Sequence, residues 1–170
     1  MKQLTCLSLW IGLTATLHAQ QGTVTINEMM TAAKAGPTAA MNDLVKKNGF
    51  SIAEIDAPKE NTTTNSDSTI YFTWNNAEGT VNSNIMYNSK RKDGITTNAC
   101  SFTTNDSTWY AMQRKILEGG EFKLSDTEMK STDAMDAQVY NKDDFRIKIF
   151  WSYMGTPMRY YVVDVIWFGK

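Results

Sequence analysis

The sequence predicts an α+β fold, with two or three helices packed on a mainly antiparallel β-sheet of about six strands. Three observations carry this. Capping residues followed by apolar residues at helical spacing mark segments after Thr25, after Pro37 and after Asn105. Alternating apolar and polar residues mark strands between Ile70 and Thr104, and again from Phe145 to Phe168. The composition is 42% hydrophobic and 21% charged with a net charge of -1, the balance of an ordinary globular protein. It excludes a disordered chain, a collagenous chain and a bundle of membrane helices. Near-zero charge also removes the electrostatic case for nucleic acid as the main partner, because duplex binding rests on clustered Lys and Arg.

The first segment reads as an export signal. Met1-Lys2-Gln3 is basic, Leu4 to Leu17 is uncharged and mostly apolar, and His18-Ala19-Gln20 leads into polar sequence. The apolar run is shorter than the about 20 residues a bilayer-spanning helix needs, so no stable membrane span is expected after cleavage. Residues 1–19 are expected to be removed, the mature chain starting at Gln20 as a single α+β domain over 20–170. Cleavage takes away Lys2, Cys6 and His18, leaving no histidine and one cysteine, Cys100. One cysteine cannot form an internal disulfide. An unpaired thiol in an oxidising compartment is safest inside a core, and Cys100 lies in a Thr-rich run beside Phe102. The expected location is periplasmic or secreted.

Thr25-Ile26-Asn27-Glu28 has capping-box spacing, and Ile26, Met29, Met30 and Ala33 follow at helical spacing. Gly36-Pro37 stops that helix and starts a second, with Met41, Leu44 and Val45 as its stripe. Asn48-Gly49 supplies a left-handed cap, and Phe50 packs back on it. Residues 56–68 read as a polar loop. Ile70, Phe72 and Trp74 alternate as a strand, 75–79 reads as a turn, and 84–88 is a second strand. Residues 89–94 read as a turn, which places Lys90-Arg91-Lys92 there as exposed charges. Ile95 to Thr104 is a third strand. Asn105-Asp106-Ser107 offers caps for a third helix with a stripe of Trp109, Met112 and Ile116, ended by Gly119-Gly120. A second capping-box spacing runs from Ser125 to Glu128, and Val139-Tyr140 reads as a brief strand before a turn over 141–144. Phe145 to Tyr153 and Arg159 to Phe168 give the strongest strand signals. They are expected to pair as a hairpin about Thr156, with Lys148 against Asp164 and Ile149 against Val163.

Leu44-Val45, Phe50 and Ile52 fall over Ile116-Leu117, Phe122 and Leu124 at a constant spacing of 72 residues. A tandem helix-plus-sheet repeat, with halves 20–104 and 105–170, is one reading; a chance match of a few apolar positions is the other. In outline the arrangement resembles secreted inhibitor modules built from tandem helix-plus-sheet repeats, such as the β-lactamase-inhibitor proteins.

Catalytic motifs are absent. Without histidine the mature chain has no Ser-His-Asp or Cys-His machinery and no His-containing zinc site. No G-x-S-x-G, G-x-x-x-x-G-K-[ST] or G-x-G-x-x-G occurs. Asp126, Glu128, Asp133, Asp136, Asp143 and Asp144 crowd 125–144 but lack calcium-loop spacing, and read as a solvated acidic segment. No cofactor and no metal site is expected.

Aromatic residues are the positive signal. Both faces of the last hairpin carry large apolar residues, and one helix layer covers only one face of a sheet. Phe145, Ile147, Ile149 and Trp151 look inward. Phe150, Tyr160 and Val162, framed by Arg146, Lys148 and Asp164, are then expected to form a partner-binding surface with an apolar centre and a polar rim. The competing reading is a face covered by another part of the same domain. The leading function is an exported, non-enzymatic protein-binding module, such as an inhibitor or immunity protein. The alternatives are a small carboxylate-dependent hydrolase acting on envelope material, which needs two close acids, and an envelope ligand carrier or structural protein.

Overall fold

Thr25 opens the first helix as its sequence requires. In the computed structural model, which describes residues 22–36, 44–56, 66–75, 79–125, 135–153 and 157–169, α1 spans Ile26–Ala35. The Thr25 hydroxyl accepts from the Glu28 backbone N–H, and the Glu28 carboxylate accepts from the Thr25 N–H at 2.9 Å. Ile26, Met29, Ala32 and Ala33 are the buried stripe, with Met30 packed at its margin. Gly36 ends the helix at φ 86°, a conformation that glycine adopts without a Cβ clash.

A second helix, α2, is helical over 44–47. Phe50 N–H donates to the Val45 carbonyl at 3.0 Å and Gly49, at φ 74°, donates to Lys46. This is the left-handed closure expected of Asn48-Gly49. It turns the Phe50 ring onto Phe102 at 6.3 Å.

Eight strands follow: β1 (Ser51–Asp56), β2 (Ser66–Asn75), β3 (Asn82–Lys92), β4 (Ile95–Thr104), β5 (Lys123–Leu124), β6 (Met135–Lys142), β7 (Phe145–Ser152) and β8 (Tyr160–Phe168), with helix α3 (Ser107–Gly119) between β4 and β5. They form one sheet in the order β1-β2-β3-β4-β8-β7-β6-β5, with every described pairing antiparallel. The fold is thus α+β, as expected, with two more strands than the sequence suggested. The chain runs from helix to a four-stranded meander twice, and the two meanders meet at β4 and β8. At the 72-residue spacing, Val45 and Leu117 are both buried, whereas Leu44 is buried and Ile116 is 40% exposed.

The three described helices lie on one face. Phe102 and Cys100 of β4, Ile85 and Tyr87 of β3, Ile147 and Ile149 of β7, and Val163 and Val165 of β8 meet the helices in a single core. Asn98 donates to the Ala33 carbonyl at 2.8 Å, tying α1 to β4. Among the described residues no helix is long and apolar enough to cross a membrane.

Three sequence expectations need correction. The buried stripe of α3 is Trp109, Tyr110, Gln113 and Leu117, while Met112 and Ile116 are 46% and 40% exposed. The helix is turned by two buried hydrogen bonds. The Trp109 indole donates to the Val24 carbonyl at 2.9 Å, and Gln113 accepts from Ile26 N–H at 3.0 Å. The second bond satisfies one of the orphan donors at the start of α1. Next, Lys90-Arg91-Lys92 lies in β3, not in a turn; the turn is Asp93-Gly94 alone. Both of its residues have positive φ, 52° and 82°, as a two-residue hairpin turn demands. Finally, 51–56 is a strand where the sequence marked no element over 51–55, and both ends of the expected polar loop 56–68 belong to strands, Asp56 to β1 and residues 66–68 to β2. The signal segment 1–19, the start at Gln20, the spacing from Ser125 to Glu128 beyond its first residue, and the turn about Thr156 lie outside the described residues.

Candidate functional site

The last hairpin has the register that its sequence favours. Lys148 pairs with Asp164, Ile149 with Val163, Phe150 with Val162 and Trp151 with Tyr161. Paired residues share a face, and successive residues alternate. Ile147, Ile149, Val163 and Val165 therefore meet the helices, and Arg146, Lys148, Phe150, Tyr160, Val162 and Asp164 fall together on the opposite, helix-free face. All six residues of the expected partner surface are brought onto one face by two adjacent strands.

Their exposure differs. Phe150, Tyr160, Arg146, Lys148 and Asp164 are half-buried. Val162 is only 3% exposed, so it underlies the surface and offers little contact area. It stands outside the helix-side core cluster, as does Val139.

Strands β3, β4 and β6 extend the face. One row across the sheet reads Met86, Ser101, Asp164, Lys148 and Val139; the next reads Asn88, Ala99, Ile166, Arg146 and Asn141. Asn88 bonds both Asp67 and Thr69 across the β2–β3 pair, at 2.8 and 2.9 Å. These lateral bonds explain how a polar Asn/Ser/Thr surface sits in regular strands. Sequence reasoning missed this extension because the polar ends of β3 read as turns; the alternation Asn84, Met86, Asn88, Lys90 was the available signal.

Asp164 lies at the middle of the face. Ser101 Oγ donates to its Oδ1 at 2.5 Å, and Lys148 sits opposite in register. Burial raises the Asp164 carboxyl above the ordinary Asp range, opposed by the Ser101 hydrogen bond and then by the Lys148 charge.

Elsewhere the acidic segment is partly absorbed by ion pairs. Asp136, at φ 52° in the β6 bulge, pairs with Arg114 of α3, which also holds Glu118 at 2.8 Å. Asp126, Glu128 and Asp133 lie outside the described residues. Among the described residues, no group of three His, Cys, Asp or Glu side chains could hold a metal ion.

Cys100 is a free thiol with 0% exposure, on the helix side of β4. Burial, reinforced by the Asp164 charge, pushes it up to about 12. A thiol held protonated in this way is a poor nucleophile.

No family model, curated protein or solved structure matches this chain.

Proposed function

We propose that the chain is an exported, non-enzymatic protein-binding module, periplasmic or secreted, that uses the helix-free face of its sheet to hold another protein. An inhibitor or an immunity protein fits its size and its N-terminal segment. One observation carries the reading. Phe150 and Tyr160 stand half-buried beside Arg146, Lys148 and Asp164 on the face opposite every described helix. Aromatic side chains ringed by charge are the usual make-up of binding hot spots.

The test is capture of the partner from native exported material by wild type and by a Phe150→Ala, Tyr160→Ala double variant. The expected result is a partner retained by wild type and lost by the double variant. Equal capture by both would refute the assignment of the face.

A further inference from the structure

Charges on the helix-free face divide along the sheet, with acids at the β1–β2 edge and cations on β3, β5 and β7. The described cations are Lys90 and Lys92 of β3, Lys123 of β5, and Arg146 and Lys148 of β7; the described anions are Asp164 of β8 and, along the β1–β2 edge, Asp67, with Glu54 and Asp56 placed on the same face by register. Asp67 and Asp164 are satisfied within the sheet. Asp67 accepts from Asn88 with Lys90 opposite in register, and Asp164 accepts from Ser101 with Lys148 opposite. Lys90, Lys92, Lys123 and Arg146 make no ion pair among the described residues. The Arg146 Nε is also buried without an acceptor among them. A buried donor left unpaired is costly, and a carboxylate is the partner a guanidinium fits best. The whole chain carries a net charge of -1, so these cations do not merely reflect a basic protein.

Apolar surface accompanies the cations. Lys90, Lys92, Asp93, Ile95 and Thr97 line one shallow depression at the end of the β3–β4 hairpin. Ile95 is 56% exposed and Phe168, paired with Thr97, is 43% exposed. Ile166 pairs with Arg146 in the adjoining row.

We propose that this end of the helix-free face docks an acidic segment of the partner protein, its carboxylates meeting Lys90, Lys92 and Arg146 and its apolar side chains meeting Ile95, Ile166 and Phe168. The inference rests on the reading of this face as protein-binding and adds the chemistry of what binds. Complementary charge of this kind sets encounter rate and selects against wrong partners. Nucleic acid fits less well, because so few cations can follow only a few phosphates.

The experiment is fluorescence anisotropy with three labelled probes: a synthetic peptide alternating Glu with Leu and Phe, the same peptide with Lys for Glu, and a short single-stranded RNA. Each is titrated with the folded protein at low and at high salt. Binding of the acidic peptide alone, weakened by salt, is expected. A Lys90→Glu, Lys92→Glu variant and an Arg146→Glu variant should each weaken it by about tenfold or more, the scale of close interfacial charge pairs. A Lys34→Glu, Lys115→Glu variant makes the same change in net charge as the lysine pair, but on α1 and α3, and should bind as wild type does. No binding of the acidic peptide, equal binding of the basic one, tighter binding of RNA, or equal weakening by the Lys34, Lys115 control would each overturn the proposal. If the Phe150, Tyr160 variant loses its partner while the charge reversals keep theirs, the acidic partner is wrong and the binding face stands.

Discussion

Cys100 and Asp164 stand on opposite faces of adjacent strands, and burial acts on both. The thiol lies in the core with its titration pushed up to about 12. Native protein should therefore react slowly with a thiol reagent at mildly alkaline pH and quickly once unfolded in urea; fast labelling of the folded form would contradict its buried position. Its place was readable from the Phe102 and Thr residues around it. For Asp164, burial favours the protonated form, so the folded state holds that proton to higher pH than the unfolded chain does. Its contribution therefore makes stability fall as pH rises from the ordinary Asp range through the raised value. Melting of wild type against Asp164→Asn should show wild type gaining relative stability toward acid pH. A difference independent of pH would contradict the assignment. The sequence offered the Lys148 pairing but not Ser101, which arrives from β4 only through the β4–β8 register.

Helix starts were legible because caps are local chemistry. Asp106 accepts from the Thr108 and Trp109 N–H groups at 2.8 and 3.2 Å. Asp106→Ala should cost about 1 kcal/mol, read as a lowered urea midpoint. At the β3–β4 turn, a Cβ on Gly94 would meet nothing within 4 Å, yet φ is 82°. Gly94→Ala should therefore cost about 1–2 kcal/mol through backbone strain alone; an unchanged midpoint would rule out that turn geometry. Elements shaped by partners were less legible. The face of α3 is set by Gln113 reaching the first turn of α1, and a polar residue gives no hint of burial until its acceptor role is known. In β1 a bulge between Ile52 and Glu54 sets Ile52 opposite Phe72 and Ile55 opposite Ile70. The three-residue spacing of these isoleucines thus hides the two-residue period of a strand.

At the scale of the whole molecule the sheet has two different faces. One carries the core of aliphatic and aromatic side chains under three helices; the other carries Asn, Ser and Thr rows interrupted by Phe150, Tyr160 and paired or unpaired charges. The division was readable from β7 and β8, where a slip of one residue would have set Asp164 against Ile147. Its extent across β3 and β4 was not, since strand order depends on which distant segments pair. The central claim is that the helix-free face is available for binding and is not a second core. Thermal unfolding of Phe150→Ala, Tyr160→Ala beside Ile149→Ala, Val163→Ala tests it most directly, because the two pairs are neighbours on the same two strands. The core pair should lose several kcal/mol, a drop of about 10 °C or more, while the face pair stays within about 4 °C of wild type. Equal losses in the two variants would contradict the account.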